Sequence, residues 1–245
     1  GTFGGLDKLD RQTGRFVHYQ HDPADPHSLS DNTVYSLYED RTGILWVGTY
    51  NGLNRFDPQT QRFTRYLSDP ADPHSLRSNI ITSFYEDGSG ALWVGTQGGG
   101  LNRMDRATGS FTHYLYDPND SSTISNNTIP AIYGDPSGVL WLGTYNGLNA
   151  FDPKSGQAVR YTAQDGLPSG IIWGILPDEQ GNLWLSTNQG LVRFNPRTKA
   201  IRVFDTTDGL VSATFSPFAF AASSTGELLF GSAEGMVILS PTLVR

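Results

Sequence analysis

The chain has 245 residues, no cysteine, 28 glycines, 14 prolines, 12% aromatic residues and a net charge of −7. An acidic balance argues against nucleic-acid or anionic-membrane partners, which need clustered cations, and is most simply read as solubility. The missing cysteines exclude disulfides and thiol catalysis, and no run of about 18 apolar residues exists to cross a bilayer as a helix.

Taken in chain order, residues 4–10 read as a strand of the Gly-Leu-Asp-Lys-Leu-Asp type, and Phe16 to Tyr19 as the strand after it. They match the third and fourth strands of a four-stranded unit whose first two strands would precede Gly1. The chain therefore opens inside a repeat, as a piece excised or processed from a longer protein would.

Complete units follow over residues 30–67, 78–115, 126–162 and 169–205. In each, a first strand A (Val34 to Asp40, Ile81 to Asp87, Ile129 to Asp135, Ile172 to Asp178) leads to a strand B carrying a tryptophan. The anchors Trp46, Trp93, Trp141 and Trp184, with Phe230 in the same place, stand 43 to 48 residues apart. Strand C begins at Gly52, Gly100, Gly147 and Gly190, and strand D covers Phe63 to Leu67, Phe111 to Leu115, Ala158 to Thr162 and Ile201 to Asp205. Residues 211–245 give strands A, B and C of a last unit with no clear D.

Short alternating runs at a period of 40–50 residues predict an all-β fold, a β-propeller of four-stranded antiparallel blades. About five repeats are present. The strand count is 21, with one strand C left over after any simple closure, which suggests part of a larger, seven-bladed ring.

The turns carry their own chemistry. Asp40/Gly43, Asp87/Gly90, Asp135/Gly138 and Asp178/Gly181 join A to B. The aspartate accepts backbone N–H groups and the glycine takes a positive φ. Asp57-Pro58 and Asp152-Pro153 start type I turns between C and D. The pairs Asp22/Asp25, Asp69/Asp72 and Asp117/Asp120 are better read as Asx turns than as calcium ligands, which would converge with more oxygens per loop. Of the five histidines (His18, His21, His27, His74 and His113), His18 and His113 share one strand D place and His27 and His74 are repeat equivalents; equivalent places in different blades lie far apart, which argues against a shared metal.

One large aromatic per blade at fixed register assigns Trp46, Trp93, Trp141 and Trp184 to packing between sheets. The small residues Ser36, Ser83, Ala131 and Gly174 suit the crowded inner strand. Strand parity puts the B-to-C turns and the D-to-A linkers on one rim, and the stereotyped turns on the other. Amides and aromatic rings on the variable rim suit a small polar ligand such as a saccharide. The candidate residues are Asn32, Tyr50, Asn51, Asn79, Gln97, Asn127, Tyr145, Asn146, Trp173 and Asn188. Trp173 is the most pointed of them, because the other blades have Tyr35, Thr82 and Pro130 in its place.

The segment from Asn32 to Asp40, then Leu45 to Thr49, then Gly52 to Pro58, resembles the two-component-regulator propeller repeat. It recurs from Ser78 to Asp105 and from Asn126 to Pro153, and is degraded from Asp165 to Pro196 and from Asp208 to Pro241. The resemblance implies the sensory domain of a hybrid histidine kinase or a diguanylate cyclase, on the periplasmic or extracellular side of a bacterial membrane protein. The residues themselves give no catalytic site, metal or cofactor. The rim residues point to a small polar ligand such as an oligosaccharide as partner, the resemblance adds the other domains of the parent sensor, and unpaired strand edges in the first and last units add a second copy of the chain. A protein-interaction scaffold is the alternative. An enzyme of the virginiamycin-lyase type would need a unique His/Glu cluster on one rim; Glu39 and Glu86 belong to the repeat, and Glu179, Glu227 and Glu234 have no histidine near them in register.

Overall fold

The computed structural model describes residues 1–244. It is all-β, a β-propeller array of 21 strands with three single-turn 3-10 segments, and it divides into two compact units, residues 1–114 and 115–245.

The first unit opens with a two-stranded sheet of β1 (Leu6–Leu9) and β2 (Phe16–Tyr19). Two complete blades follow. One is β3 (Val34–Glu39), β4 (Leu45–Thr49), β5 (Gly52–Asp57) and β6 (Arg62–Tyr66). The next is β7 (Ile81–Glu86), β8 (Leu92–Thr96), β9 (Leu101–Met104) and β10 (Phe111–Tyr114). The second unit holds the third complete blade, β11 (Ala131–Gly134), β12 (Leu140–Thr144), β13 (Gly147–Asp152) and β14 (Gln157–Tyr161). The fourth is β15 (Ile172–Pro177), β16 (Leu183–Thr187), β17 (Leu191–Phe194) and β18 (Ile201–Phe204). A three-stranded sheet of β19 (Phe215–Ala222), β20 (Leu228–Ser232) and β21 (Gly235–Leu239) ends it. Every sheet is an antiparallel meander in sequence order.

Strand B is buried along its length, its polar Ser and Thr included, while strand D alternates in its first three residues. All five residues of β8, β12 and β16 are buried. In the first unit Trp46 packs with Ile81, Leu92, Val94 and Met104 of the following blade. In the second, Trp141 packs with Ile175, Leu183 and Phe194, and Trp184 with Phe215, Leu228 and Phe230. The four indoles are at most 3% exposed, as the core reading requires. At Gly174 an added Cβ would stand 2.4 Å from Cδ1 of Phe220, so the inner strand has room there only for glycine.

Each indole is also held by its own hairpin. Nε1 of Trp46, Trp93, Trp141 and Trp184 donates to Oδ2 of Asp40, Asp87, Asp135 and Asp178 at 2.8–2.9 Å. The other carboxylate oxygen of each aspartate accepts backbone N–H groups two and four residues on. The paired aspartates of the linkers form the expected Asx turns, as in Asp22 with Ala24 and Asp25 with His27. The 3-10 turns at Ala163–Asp165 and Thr206–Asp208 are additions to the expected all-strand pattern. A capping box closes each, Thr162 with Asp165 and Asp205 with Asp208, where the D-P-x-D-P linker gives way to a shorter one ending in Asp-Gly-Leu.

Candidate functional site

The variable rim is built by three devices that recur along the chain. The first is a buried polar staple. Asn54 Oδ1 accepts from the Ser30 backbone, its Nδ2 donates to Ser30 Oγ, and Ser30 Oγ bonds Thr49 Oγ1. Asn149, Ser125 and Thr144 repeat this in the second unit. These are the Ser, Thr and Asn of the repeat motif, and they fix the linker before strand A to the central strands. Buried polar groups persist only when satisfied, so the three residues belong together.

The second device ties each B-to-C turn to the linkers on either side. In the first unit Tyr50 N donates to Thr33 O and Gly52 N to Asn79 O. In the second unit Tyr145 N donates to Thr128 O, Gly147 N to Gly170 O and Gly190 N to Ala213 O. Turns and linkers thus share a rim within each unit, as strand parity indicates.

The third device is a bulge in strand A. The register of β3 against β4 shifts between Val34 and Ser36, of β7 against β8 between Ile81 and Ser83, and of β15 against β16 between Ile172 and Gly174. The residues pushed out of the ladder are Tyr35, Thr82 and Trp173. A bulge re-aims one side chain without disturbing its neighbours, which is why the place tolerates such different residues.

The candidate residues divide into two groups. In the first unit, Asn32 and Asn79 are linker clamps: their Oδ1 atoms accept from the backbones of His21 and Ser68. Asn79 Nδ2 also donates to Asn51 Oδ1 at 3.0 Å, which brings Asn51 and Asn79 together. The exposed ring of Tyr50 lies 6.3 Å from that of Tyr35. The Gln97 backbone is bonded on both sides, N to Ile80 O and O to Ser78 Oγ, and its side chain faces solvent.

In the second unit Asn127 repeats the clamp, accepting from Tyr116 N. Asn146 donates to Ser125 O, and Ser169 Oγ donates to Asn188 Oδ1. Tyr145 and Trp173 meet edge to face with centroids 5.4 Å apart, Tyr145 being 38% exposed. Trp173 is half-buried and also packs against the cluster around Trp184 and Phe215. Part of its surface therefore fills space and part remains at the rim.

Sequence reasoning missed an ion cluster on the opposite rim. Arg106 Nη1 bonds Asp40 Oδ2 at 2.8 Å, its Nη2 lies 3.3 Å from Glu86 Oε1, and its guanidinium sits 5.8 Å over the Trp46 ring. Burial pushes the pKa of Asp40 up. Hydrogen bonds from Thr42, the Trp46 indole and the Ile44 backbone outweigh this and bring it down to about 2. The available signal was Arg106 itself, where the other complete blades have Pro58, Pro153 and Pro196.

The chain matches the two component regulator propeller family over residues 28–51, 75–98, 123–146 and 166–189. No curated protein matches it. Among solved structures it is similar to the extracellular domain described as that of the hybrid two-component system BT3049 of B. thetaiotaomicron, at 25% identity and a TM-score of 0.81, covering 98% of this chain and 32% of that one. The extracellular domain of BT4673 from the same organism gives 26% identity and a TM-score of 0.73, covering 98% and 40%. PorZ, a surface component of the type-IX secretion system of Porphyromonas gingivalis, shares the fold at 20% identity and a TM-score of 0.73, covering 98% and 36%. The chain spans a third to two fifths of the length of these structures. Four matched segments, each starting in the linker and running through strands A and B, give the chain the two component regulator propeller repeat.

Proposed function

We propose that this chain is a ligand-sensing propeller domain of a signal-transduction protein of the hybrid two-component kind, on the periplasmic or extracellular side of a bacterial membrane. The observation that carries the reading is the repeat match, joined to a likeness across 98% of the chain to extracellular domains described as those of hybrid two-component systems. The other domains of the parent protein would be its partners, and its chemistry would lie in them. Among the described residues no helix is long and apolar enough to cross a membrane, and no group of three or more His, Asp or Glu side chains could hold a metal.

The ligand would be small and polar, an oligosaccharide being the chemistry that suits aromatic edges beside amides. It would meet the variable rim, where Tyr145 and Trp173 form the aromatic element and Asn146 and Asn188 lie on the neighbouring turns. A thermal-shift screen of an oligosaccharide library, followed by titration of the hits, tests this. Trp173→Ala and Tyr145→Ala should each weaken binding about fivefold, the loss of one aromatic contact worth roughly 1 kcal/mol. Normal binding by both variants would mean the wrong rim. A library with no hit, together with specific capture of a protein partner, would favour a scaffold.

A further inference from the structure

The β17–β18 hairpin of the fourth complete blade departs from its repeat in charge. Over residues 191–202 it carries Arg193, Arg197, Lys199 and Arg202 and no acid, in a chain whose net charge is −7. The matching hairpins each hold an acid: Asp57 with Arg55 and Arg62, Asp105 with Arg103 and Arg106, Asp152 with Lys154. Two of the departures lie side by side. Arg193 repeats Arg55 and Arg103, but those face Thr64 and Thr112 across the ladder, whereas Arg193 faces Arg202. Two residues on, where those have Asp57 and Asp105, it has Asn195.

The turn does not need the charge it lacks. Asp105 Oδ1 accepts from the backbones of Ala107 and Thr108, and Asn195 Oδ1 accepts in the same way from Arg197 and Thr198. What is missing is a carboxylate beside the arginine. In the first two blades, hydrogen bonds from the turn hold the carboxyls of Asp57 and Asp105 below their usual range, and Arg55 and Arg103 add to this in smaller part.

Like charges directly opposite one another on neighbouring strands repel. Here both guanidiniums gather over the Phe204 ring, Arg193 at 6.0 Å and Arg202 at 4.5 Å. Such stacking uses a guanidinium's face and leaves the N–H groups in its plane. Among the described residues no carboxylate comes within 4 Å of Arg193, and its side chain donates no hydrogen bond. Arg202 Nη2 lies 3.9 Å from Asp208 Oδ1, and that carboxylate also accepts from the Asp205 backbone. Arg193 is partly exposed and the Arg202 side chain is 46% exposed. The two line a groove of about 350 Å³ with Asn182, Asn195 and Thr198, a polar wall without an acid. The groove at the equivalent place in the second blade, about 340 Å³, is lined by Arg103 together with Asp105.

We propose that the groove of the fourth blade is a site for a doubly charged tetrahedral oxyanion, which accepts hydrogen bonds from Arg193 and is held by the second charge of Arg202. Phosphate and sulfate share that chemistry, and paired guanidiniums are suited to it. The site lies among the stereotyped turns, on the rim away from the candidate sensing residues.

Isothermal titration with inorganic phosphate, inorganic sulfate and acetate tests the proposal and tells the two oxyanions apart. At least one of them should bind about tenfold or more tighter than acetate at low salt, the low end of a charge-assisted hydrogen bond, and the difference should shrink as sodium chloride rises. Arg202→Thr restores the residue of the first two blades and should remove about that tenfold. Asn195→Asp restores their carboxylate, keeps the acceptor that the turn uses and should do the same. If that variant does not fold, Arg202→Thr decides alone. Both salts stabilise proteins at large by exclusion from the surface, so in melting curves the reading is the difference between chains: wild type should gain more than Arg202→Thr. Trp173→Ala and Tyr145→Ala should bind the oxyanion normally, so failure here is distinct from failure of the sensing rim. No binding of either oxyanion at about 10 mM, acetate equal to both, or unaltered binding by either folded variant would each overturn it.

Discussion

The strand B tryptophans show how one side chain serves two levels of structure. Its ring fills the space against the next blade, and its N–H closes the hairpin that presents it. Removing it costs both. Trp46→Ala and Trp184→Ala should each lower stability by about 3–5 kcal/mol in urea denaturation, the cost of a large aromatic taken from a packed core. Asp40 adds a pH dependence whose sign is fixed by its lowered pKa, about 2 against an ordinary 3.8. Its contribution is complete above the ordinary value and is lost as pH falls through about 2. Asp40→Asn should therefore be less stable than wild type at neutral pH, and its melting temperature should fall less between pH 5 and pH 2. Asp87 and Asp135, lowered by the same kind of donors against burial, keep part of the slope in that variant.

At the scale of the element, the linkers are held by whichever residue stands at one place in strand D. Arg65 reaches the carbonyls of Asp25, Ser28 and Leu29, and Arg160 those of Asp120 and Thr123. His113 takes the place in the second blade, with Nε2 3.1 Å from Pro73 O and Nδ1 2.8 Å from Asn102 Oδ1. Burial lowers the pKa of His113 below its usual 6.5 despite the carbonyl of Pro73. Stability from this neutral ring is complete above that value and is lost as pH falls through the lowered one. The protection of residues 69–76 against hydrogen exchange, corrected for the intrinsic rate at each pH, should fall on acidification below 6.5 in wild type and stay flat in His113→Arg. The strands themselves were legible from periodicity, because alternation and turn residues are local. The strand A bulges were not, since a bulge is decided by pairing with strand B. Phe218, at φ 59° within the irregular stretch of β19 between Phe215 and Phe220, is the extreme case. The clamps Asn32, Asn79 and Asn127 looked like ligand amides in the sequence because their acceptors' partners lie 11 residues back in the chain.

At the scale of the whole molecule, parity sufficed to assign turns to rims within each unit, while a groove between the third and fourth complete blades was invisible. It lies where Pro196 and Pro177 replace the Arg106 and Glu86 that fill the equivalent place in the first unit, and that shows only when the two places are compared. The sheet of β1 and β2 and the sheet of β19, β20 and β21 have fewer strands than the four-stranded blades, with β1 and β21 at their edges. Exposed Phe16, Val17, Met236 and Ile238 lie on these sheets. Unpaired edges recruit strands, so we expect concentration-dependent association in light scattering. A strict monomer across the soluble range would count against it. The bond from each strand B indole to its own aspartate has a use in measurement. Four of the five tryptophans carry it, one in each complete blade. Their side-chain N–H resonances form a built-in set of labels, each reporting the integrity of one hairpin. A single two-dimensional nitrogen-correlated spectrum, followed through heating or acidification, would read out the order in which the blades come apart.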